Sequence, residues 1–262
     1  MAEAPTAPVV VSERASFVLA DNPGIMTLDG TNTWVLREPG ATRSVVVDPG
    51  PDDEAHLDAV LAAAGRVGLV LYTHHHGDHT EAFETMLRRT GAPSRAVAER
   101  FCSGADPLVD GEVLDVDGLR LEVVLTPGHT ADSVCFRLLD EPALLTGDTV
   151  LGRGTTVVAH PDGALGPYLD SLARLRELVE EGGARRLLPG HGPVVEDARA
   201  VLDHYVDHRH ERLDQVRAAV EAGHDTPRAV VEHVYADVDP VLWDAAELSV
   251  RAQLDHLAEA GS

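Results

Sequence analysis

A short apolar run, Arg66-Val-Gly-Leu-Val-Leu-Tyr72, leads straight into Thr73-His-His-His-Gly-Asp-His79, and this junction constrains the chain more than any other stretch. The run has the length and β-branched character of a buried strand, and Phe83 to Thr90 is predicted as helix. Histidines and an aspartate therefore sit on a strand-to-helix loop, where alternate side chains can converge on one point, as metal ligation requires. Neutral imidazole and carboxylate suit zinc or a related first-row ion. A solvated histidine tag has neither the internal aspartate nor the strand before it.

The same local pattern recurs. Short hydrophobic strands are predicted at Ser16–Gly24, in the second half of Ile25–Leu36, at Ser44–Asp48, Pro93–Ala98, Val134–Leu139, Ala143–Thr146 and Arg185–Leu188. Gly111–Gly118 and Leu119–Leu125 read as a hairpin turning at Asp117-Gly118. Helices are predicted over Asp53–Ala64, capped by Asp53, and over Leu165–Glu181. Four times a strand ends in a loop that carries His or Asp beside Gly or Pro: at His74–His79, at His129, at Asp148 and at His191. One such loop alone reads as a turn. Together they supply five histidines and two aspartates, the inventory for two metal ions sharing a carboxylate.

Composition narrows the function classes. The 262 residues carry a formal net charge of −23 and no lysine. Such a surface repels polyanions and disfavours strong binding to duplex nucleic acid. Two cysteines without a CxxC spacing, no basic-then-apolar leader and no bilayer-length apolar run lead to the expectation of a reduced, cytoplasmic chain that does not enter a membrane.

Thr73-His-x-His-x-Asp-His79, Pro127-Gly-His129-Thr, Gly147-Asp148 and Gly190-His191-Gly192, with Asp48 ending its strand, resemble the motif set of the metallo-β-lactamase superfamily over residues 16–195. The resemblance implies an α/β fold, an αββα sandwich of two mixed sheets with helices outside. It implies a first ion on His74, His76 and His129, a second on Asp78, His79 and His191, and Asp148 bridging both; His75 falls on a variable position. Two divalent ions, Zn2+ by ligand type with Mn2+ or Fe2+ also fitting, would hold and acidify a bridging water. Asp78 is the residue expected to orient it as a catalytic group.

A narrower resemblance spans the chain. Asn22-Pro-Gly-Ile-Met-Thr-Leu-Asp-Gly-Thr-Asn-Thr-Trp34, Gly152-x-Gly-Thr-Thr-Val157, Tyr168-Leu-x-Ser-Leu172 and Tyr205-x-x-His-Arg209 are similar to the β-lactamase-like protein 2 family. It implies a catalytic domain over 1–195, a small winged-helix-like domain over 196–262 and, from animal members, cleavage of single-stranded RNA. Asn32, Thr33 and Tyr168 are the residues expected at the substrate. Three tail helices are predicted at Glu196–Ala222, Thr226–Tyr235 and Leu242–Ala260, without wing strands. With 15 acidic residues against 6 arginines, the tail is a poor nucleic-acid reader and is expected to wall the cleft or form a homodimer surface. Trp34 and Trp243 are expected to pack, and His204, His208 and His210 read as helix-surface histidines rather than a third metal site. The alternatives are a thioester hydrolase, either of glyoxalase II type or acting on an acyl carrier, and, in another class, a non-catalytic metal-binding regulator. A true β-lactamase is disfavoured because its metal sites usually lack the bridging aspartate.

Overall fold

The computed structural model describes residues 7–158 and 160–260. A first sheet runs in chain order: β1 (Val9–Val10), β2 (Ala15–Leu19), β3 (Asn32–Leu36), β4 (Arg43–Val47), β5 (Arg66–Leu71) and β6 (Ser94–Arg95). Neighbours are antiparallel up to β4, then parallel, so helices must carry the chain back between β4, β5 and β6. These are α1 (Glu54–Ala64), α2 (Gly77–Thr80) and α3 (Phe83–Thr90). Asp53 caps α1 by accepting from the backbone N–H of His56, a contact worth about 1 kcal/mol.

The second sheet holds β7 (Val113–Val116), β8 (Leu119–Leu125), β9 (Val134–Leu138), β10 (Ala143–Gly147) and β11 (Arg186–Pro189), in the order β11-β10-β9-β8-β7. Asp117 and Gly118 both take positive φ, 54° and 93°, the mirror-image turn that suits a two-residue hairpin. Helix α4 (Leu165–Glu180) crosses between the parallel pair β10 and β11. Then follow α5 (Ala198–Glu221), α6 (Pro227–Val234) and α7 (Trp243–Ala260).

The strand pattern explains why both faces of each sheet are covered. In β4, Val45 and Val47 enter the core between the sheets while Val46 faces the outer layer with Leu57 and Val60 of α1. In β9, Val134, Phe136 and Leu138 point inward and Cys135 outward, towards Leu172 of α4. Apolar residues in both phases of these strands mean that both faces are buried, here by the facing sheet on one side and helices on the other. The αββα architecture is the one the family resemblance implies.

Helix α5 links the second sheet to the tail. Leu202, Tyr205 and Leu213 pack in the outer layer of that sheet; Val216 and Ala219 pack with Val230, Val231 and Val250 of the tail. Among the described residues the tail contains helices and no strand. Two expectations need correction. The strand predicted over Pro93–Ala98 shrinks to the two residues of β6, because the chain turns away to pair Ser94 with Ser103. The loop after β5 contains the one-turn helix α2, so Asp78 and His79 lie on helical backbone with His76 at its N-terminal cap.

Candidate metal centre

The C-terminal ends of β4, β5, β10 and β11 point to one edge of the sandwich, where the β8–β9 loop joins them. On that edge the structure brings His74, His76, His129, Asp78, His79, Asp148 and His191 together. The Nε2 atom of His74 lies 3.1 Å from Nδ1 of His76, and Nε2 of His129 lies 3.2 Å from the same atom. Beside this trio, Nε2 of His79 and of His191 are 3.2 Å apart, and Oδ2 of Asp78 lies 3.1 Å from His191 Nε2. Asp148 stands between the two groups, with Oδ2 at 3.9 Å from His129 Nε2 and 3.4 Å from His191 Nε2, and Oδ1 at 3.5 Å from His79 Nε2.

Four of the five rings are oriented from behind. The Asp48 carboxylate is fully buried and accepts from the Thr73 backbone N–H, the Thr73 hydroxyl and His79 Nδ1, at 2.7, 2.7 and 2.9 Å. Having given its hydrogen to Asp48, the Thr73 hydroxyl accepts from His74 Nδ1 at 3.0 Å. His129 Nδ1 donates to the Val157 carbonyl at 2.6 Å, and His191 Nδ1 to the Gly30 carbonyl at 3.1 Å. Four imidazoles therefore point Nε2 inward with Nδ1 held from outside, the arrangement found behind metal-ligating histidines.

The donor set fits cations. With the Nδ1 hydrogens of His74 and His129 committed outward, the first trio cannot satisfy all three inward nitrogens by sharing hydrogens. Asp148 Oδ1 is buried and has no hydrogen-bond donor. Gly190 makes this packing possible, since a Cβ there would stand 2.6 Å from Asp148 Oδ1 and 2.8 Å from His79 Cε1. Donor atoms lie within 4.8 Å of one another in each of three sets: His74, His76 and His129; His74, His79 and Asp148; and Asp78, His79 and His191.

Electrostatics divide the centre. Burial pushes His74 well below the ordinary histidine range, and burial with the neighbouring His129 brings His76 down to about 4. Burial likewise lowers His129, so the first trio is neutral and ready to ligate. In the second group burial opposes charge, yet Asp148 and Asp78 outweigh it and lift His191 to about 11. His79 is raised too, with Asp48 as the main partner set against burial. Asp78 is held below the usual carboxylate range, because His79 and His191 overcome the burial cost.

His75 turns away from the centre and pairs with Asp132 at 2.8 Å. The three residues expected at the substrate lie behind the ligand loops instead. Asn32 is buried and gives both amide hydrogens to the carbonyls of Pro189 and Gly192, bracing the His191 loop. Thr33 is buried between the Asp48 carbonyl and His56. Tyr168 is fully buried and donates to the Thr149 carbonyl at 2.7 Å, next to Asp148. All three have their polar atoms partnered and almost no exposed surface. Trp34 and Trp243 both pack, the former donating to the Pro189 carbonyl. His204, His208 and His210 do not converge as ligands.

A cavity of about 360 Å³ opens on His129 and Asp148. Leu28, Leu151 and Val157 line the sandwich side, and Tyr235, Leu242 and Arg212 the tail side. A residue not foreseen is Arg209 of α5. Its buried guanidinium donates to the Thr156 carbonyl and lies 4.9 Å over the Tyr168 ring. The only sequence signal for it is the Tyr205-x-x-His-Arg209 motif. Among the described residues no helix is long and apolar enough to cross a membrane.

Comparison with known proteins agrees with this geometry. The profile of the metallo-beta-lactamase superfamily matches residues 26–191, and that of the beta-lactamase associated winged helix domain matches 226–262. An Aspergillus fumigatus protein named atrochrysone carboxyl ACP thioesterase is 37% identical over 81% of this chain and 66% of its own length. A beta-lactamase-like protein 2 homolog from Caenorhabditis elegans is 31% identical over 96% of this chain and 86% of its own. A solved beta-lactamase domain protein from Burkholderia ambifaria shares the fold with a TM-score of 0.82 at 21% identity, covering 100% of this chain and 90% of that one. With its central motifs inside the matched span and its strand ends converging as they do, the chain belongs to the metallo-β-lactamase superfamily of hydrolases.

Proposed function

We propose that the chain hydrolyses an acyl thioester at a two-metal centre. The observation that carries this reading is the cavity beside His129 and Asp148, whose apolar walls suit the hydrocarbon of an acyl group better than a hydrated polyanion. The name of the Aspergillus fumigatus relative supports the same class. His74, His76 and His129 would hold one ion, Asp78, His79 and His191 the other, with Asp148 shared; zinc suits the donors best, and manganese or iron also fit. Divalent ions in such a site supply Lewis acidity toward a carbonyl oxygen and toward water. The ionised, partly exposed Asp78 is placed to accept a hydrogen bond from an attacking water and to fix its direction. Leu28, Leu151 and Leu242 hold the acyl chain and exclude bulk water from the bond being cleaved. In this reading residues 1–195 form the catalytic unit and 196–262 a helical unit that closes its cleft.

Single-stranded RNA is the second reading, implied by the resemblance to the β-lactamase-like protein 2 family. It is favoured by Arg212, whose guanidinium lies 4.7 Å over the Tyr235 ring at the cavity wall, a surface on which a base can stack. One experiment separates the two: purified protein of measured metal content is offered a series of acyl thioesters and a labelled single-stranded RNA, with His76→Ala as the metal-site control. Thioester turnover that His76→Ala abolishes supports the first reading. RNA cleavage alone, abolished by the same variant, replaces it with the second.

A further inference from the structure

Ion pairing is the rule for the arginines of the cavity rim and of the rest of α5. Arg153 at the rim pairs with Asp29, and on α5 Arg199 and Arg217 pair with Glu180 and Asp214. Two more α5 arginines, Arg209 and Arg212, line the cavity and form no ion pair among the described residues. Arg209 spends hydrogen bonds on the Thr156 carbonyl, and Arg212 on Gln215 and the Val234 carbonyl. Apart from the Tyr168 and Tyr235 rings they lie over, both guanidinium groups have neutral partners and no carboxylate, in a chain of net charge −23 where carboxylates are abundant. Two buried polar atoms on the same wall, Arg209 Nε and His208 Nδ1, have no hydrogen-bond partner among the described residues. Burial and the two neighbouring guanidinium groups push His208 down to about 4, a sign of the positive field there. Leaving cations half-buried and unmatched is costly unless an anion visits them. Leu28, Leu151, Val157, Val238 and Leu242 give the cavity an apolar side, with Ile25 and Met26 about half exposed at the mouth.

We propose that this cavity is an acyl subsite for thioesters whose acyl chain ends in a carboxylate, with Arg212 as the specificity-determining residue and Arg209 adding to its field. The proposal rests on the thioesterase reading of the same centre. The hydrocarbon lies along Leu28, Leu151 and Leu242, the thioester faces His129 and Asp148, and the distal carboxylate meets the Arg212 guanidinium. A phosphate on the carrier arm would also match a guanidinium, but it sits on the thiol side of the bond, away from an apolar pocket.

The test compares ω-carboxyacyl thioesters of N-acetylcysteamine with unsubstituted acyl thioesters of equal chain length, using the metal-loaded protein. The wild type is expected to favour the carboxylate series about ten-fold or more in kcat/KM, mainly through KM, as a charge-assisted hydrogen bond allows. Arg212→Gln should erase that preference while leaving the unsubstituted substrates close to wild type, and Arg212→Lys should restore part of it. A merely structural role for Arg212 would weaken both series alike and overturns the proposal. So does a preference that appears only when a neutral acyl group is carried on a phosphopantetheine arm. Should no thioester turn over, the reaction class fails separately, and binding of adipic acid monoamide against hexanamide decides the subsite. Arg212-dependent binding of the acid alone sustains it; equal or absent binding overturns it.

Discussion

Asp148 is the residue that stands between the two halves of the centre. Its buried Oδ1 has no donor, and its Oδ2 is the closest carboxylate oxygen to His129 on one side while touching His191 on the other. In the metal-free chain it is a main reason why His191 keeps a proton up to about pH 11 and why His79 is raised. Those protons must leave when metal binds, so loading near pH 7 should release protons, and metal affinity should rise with pH as the competing proton becomes easier to remove. Without metal, the same shift in His191 stabilises the fold fully below its ordinary value of 6.5, a contribution lost as pH rises through about 11. Asp148→Asn should lower occupancy of both ions together and reduce the protons released per ion bound. Calorimetry in buffers of different ionisation enthalpy, with metal analysis of the product, measures both. Loss at one ion alone would show that Asp148 is not shared. The convergence of the seven side chains could be read from the sequence because the loops that carry them follow strands and contain residues that let the chain turn. The burial of Asn32, Thr33 and Tyr168 could not, because in a sequence a polar residue beside a motif looks the same whether it is exposed or braces the loop behind it.

At the scale of elements, α5 reaches the centre without supplying a ligand. Arg209 donates to the Thr156 carbonyl; the next carbonyl, of Val157, takes the His129 Nδ1 hydrogen, and the Thr156 hydroxyl lies 3.4 Å from that same nitrogen. The tail is thus two hydrogen bonds away from one ligand of the first trio. Arg209→Met keeps most of the volume but removes the clamp, and it should weaken metal affinity at the His74, His76 and His129 group by about ten-fold or more, the range seen when such supporting contacts are lost. Metal competition with a chromogenic chelator reads this directly; the Asp78, His79 and His191 group should hold its ion nearly unchanged. Equal weakening of both groups would mean that Arg209 acts only through general stability. Secondary structure itself was largely legible, from the Asp53 cap of α1 to the Asp117-Gly118 hairpin, because local chemistry decides those features. The contact between α5 and the 156–157 loop was not, because it joins residues 53 positions apart and depends on how the helix lies against the second sheet.

For the whole molecule, net charge decides which substrates can approach. At −23 the surface repels any polyanion, and ion pairs such as Arg14–Glu38 and Arg43–Asp117 consume much of the positive charge that remains. The unmatched guanidinium groups of Arg209 and Arg212 lie inside the cleft, where they can meet one anionic group but cannot track a backbone. A protein that binds RNA through a basic track loses affinity steeply with salt, because it releases counterions from the phosphates. Here the long-range term has the opposite sign, and added salt screens repulsion. Association with a single-stranded RNA oligonucleotide should therefore be weak at low ionic strength, and it should stay flat or strengthen as salt rises. Turnover of a small uncharged thioester should change little over the same range. Anisotropy of a labelled oligonucleotide across a salt series, run beside the thioester assay, measures both. A steep fall in RNA affinity with salt would reveal a local phosphate-binding surface strong enough to override the net charge, and would move the assignment toward RNA.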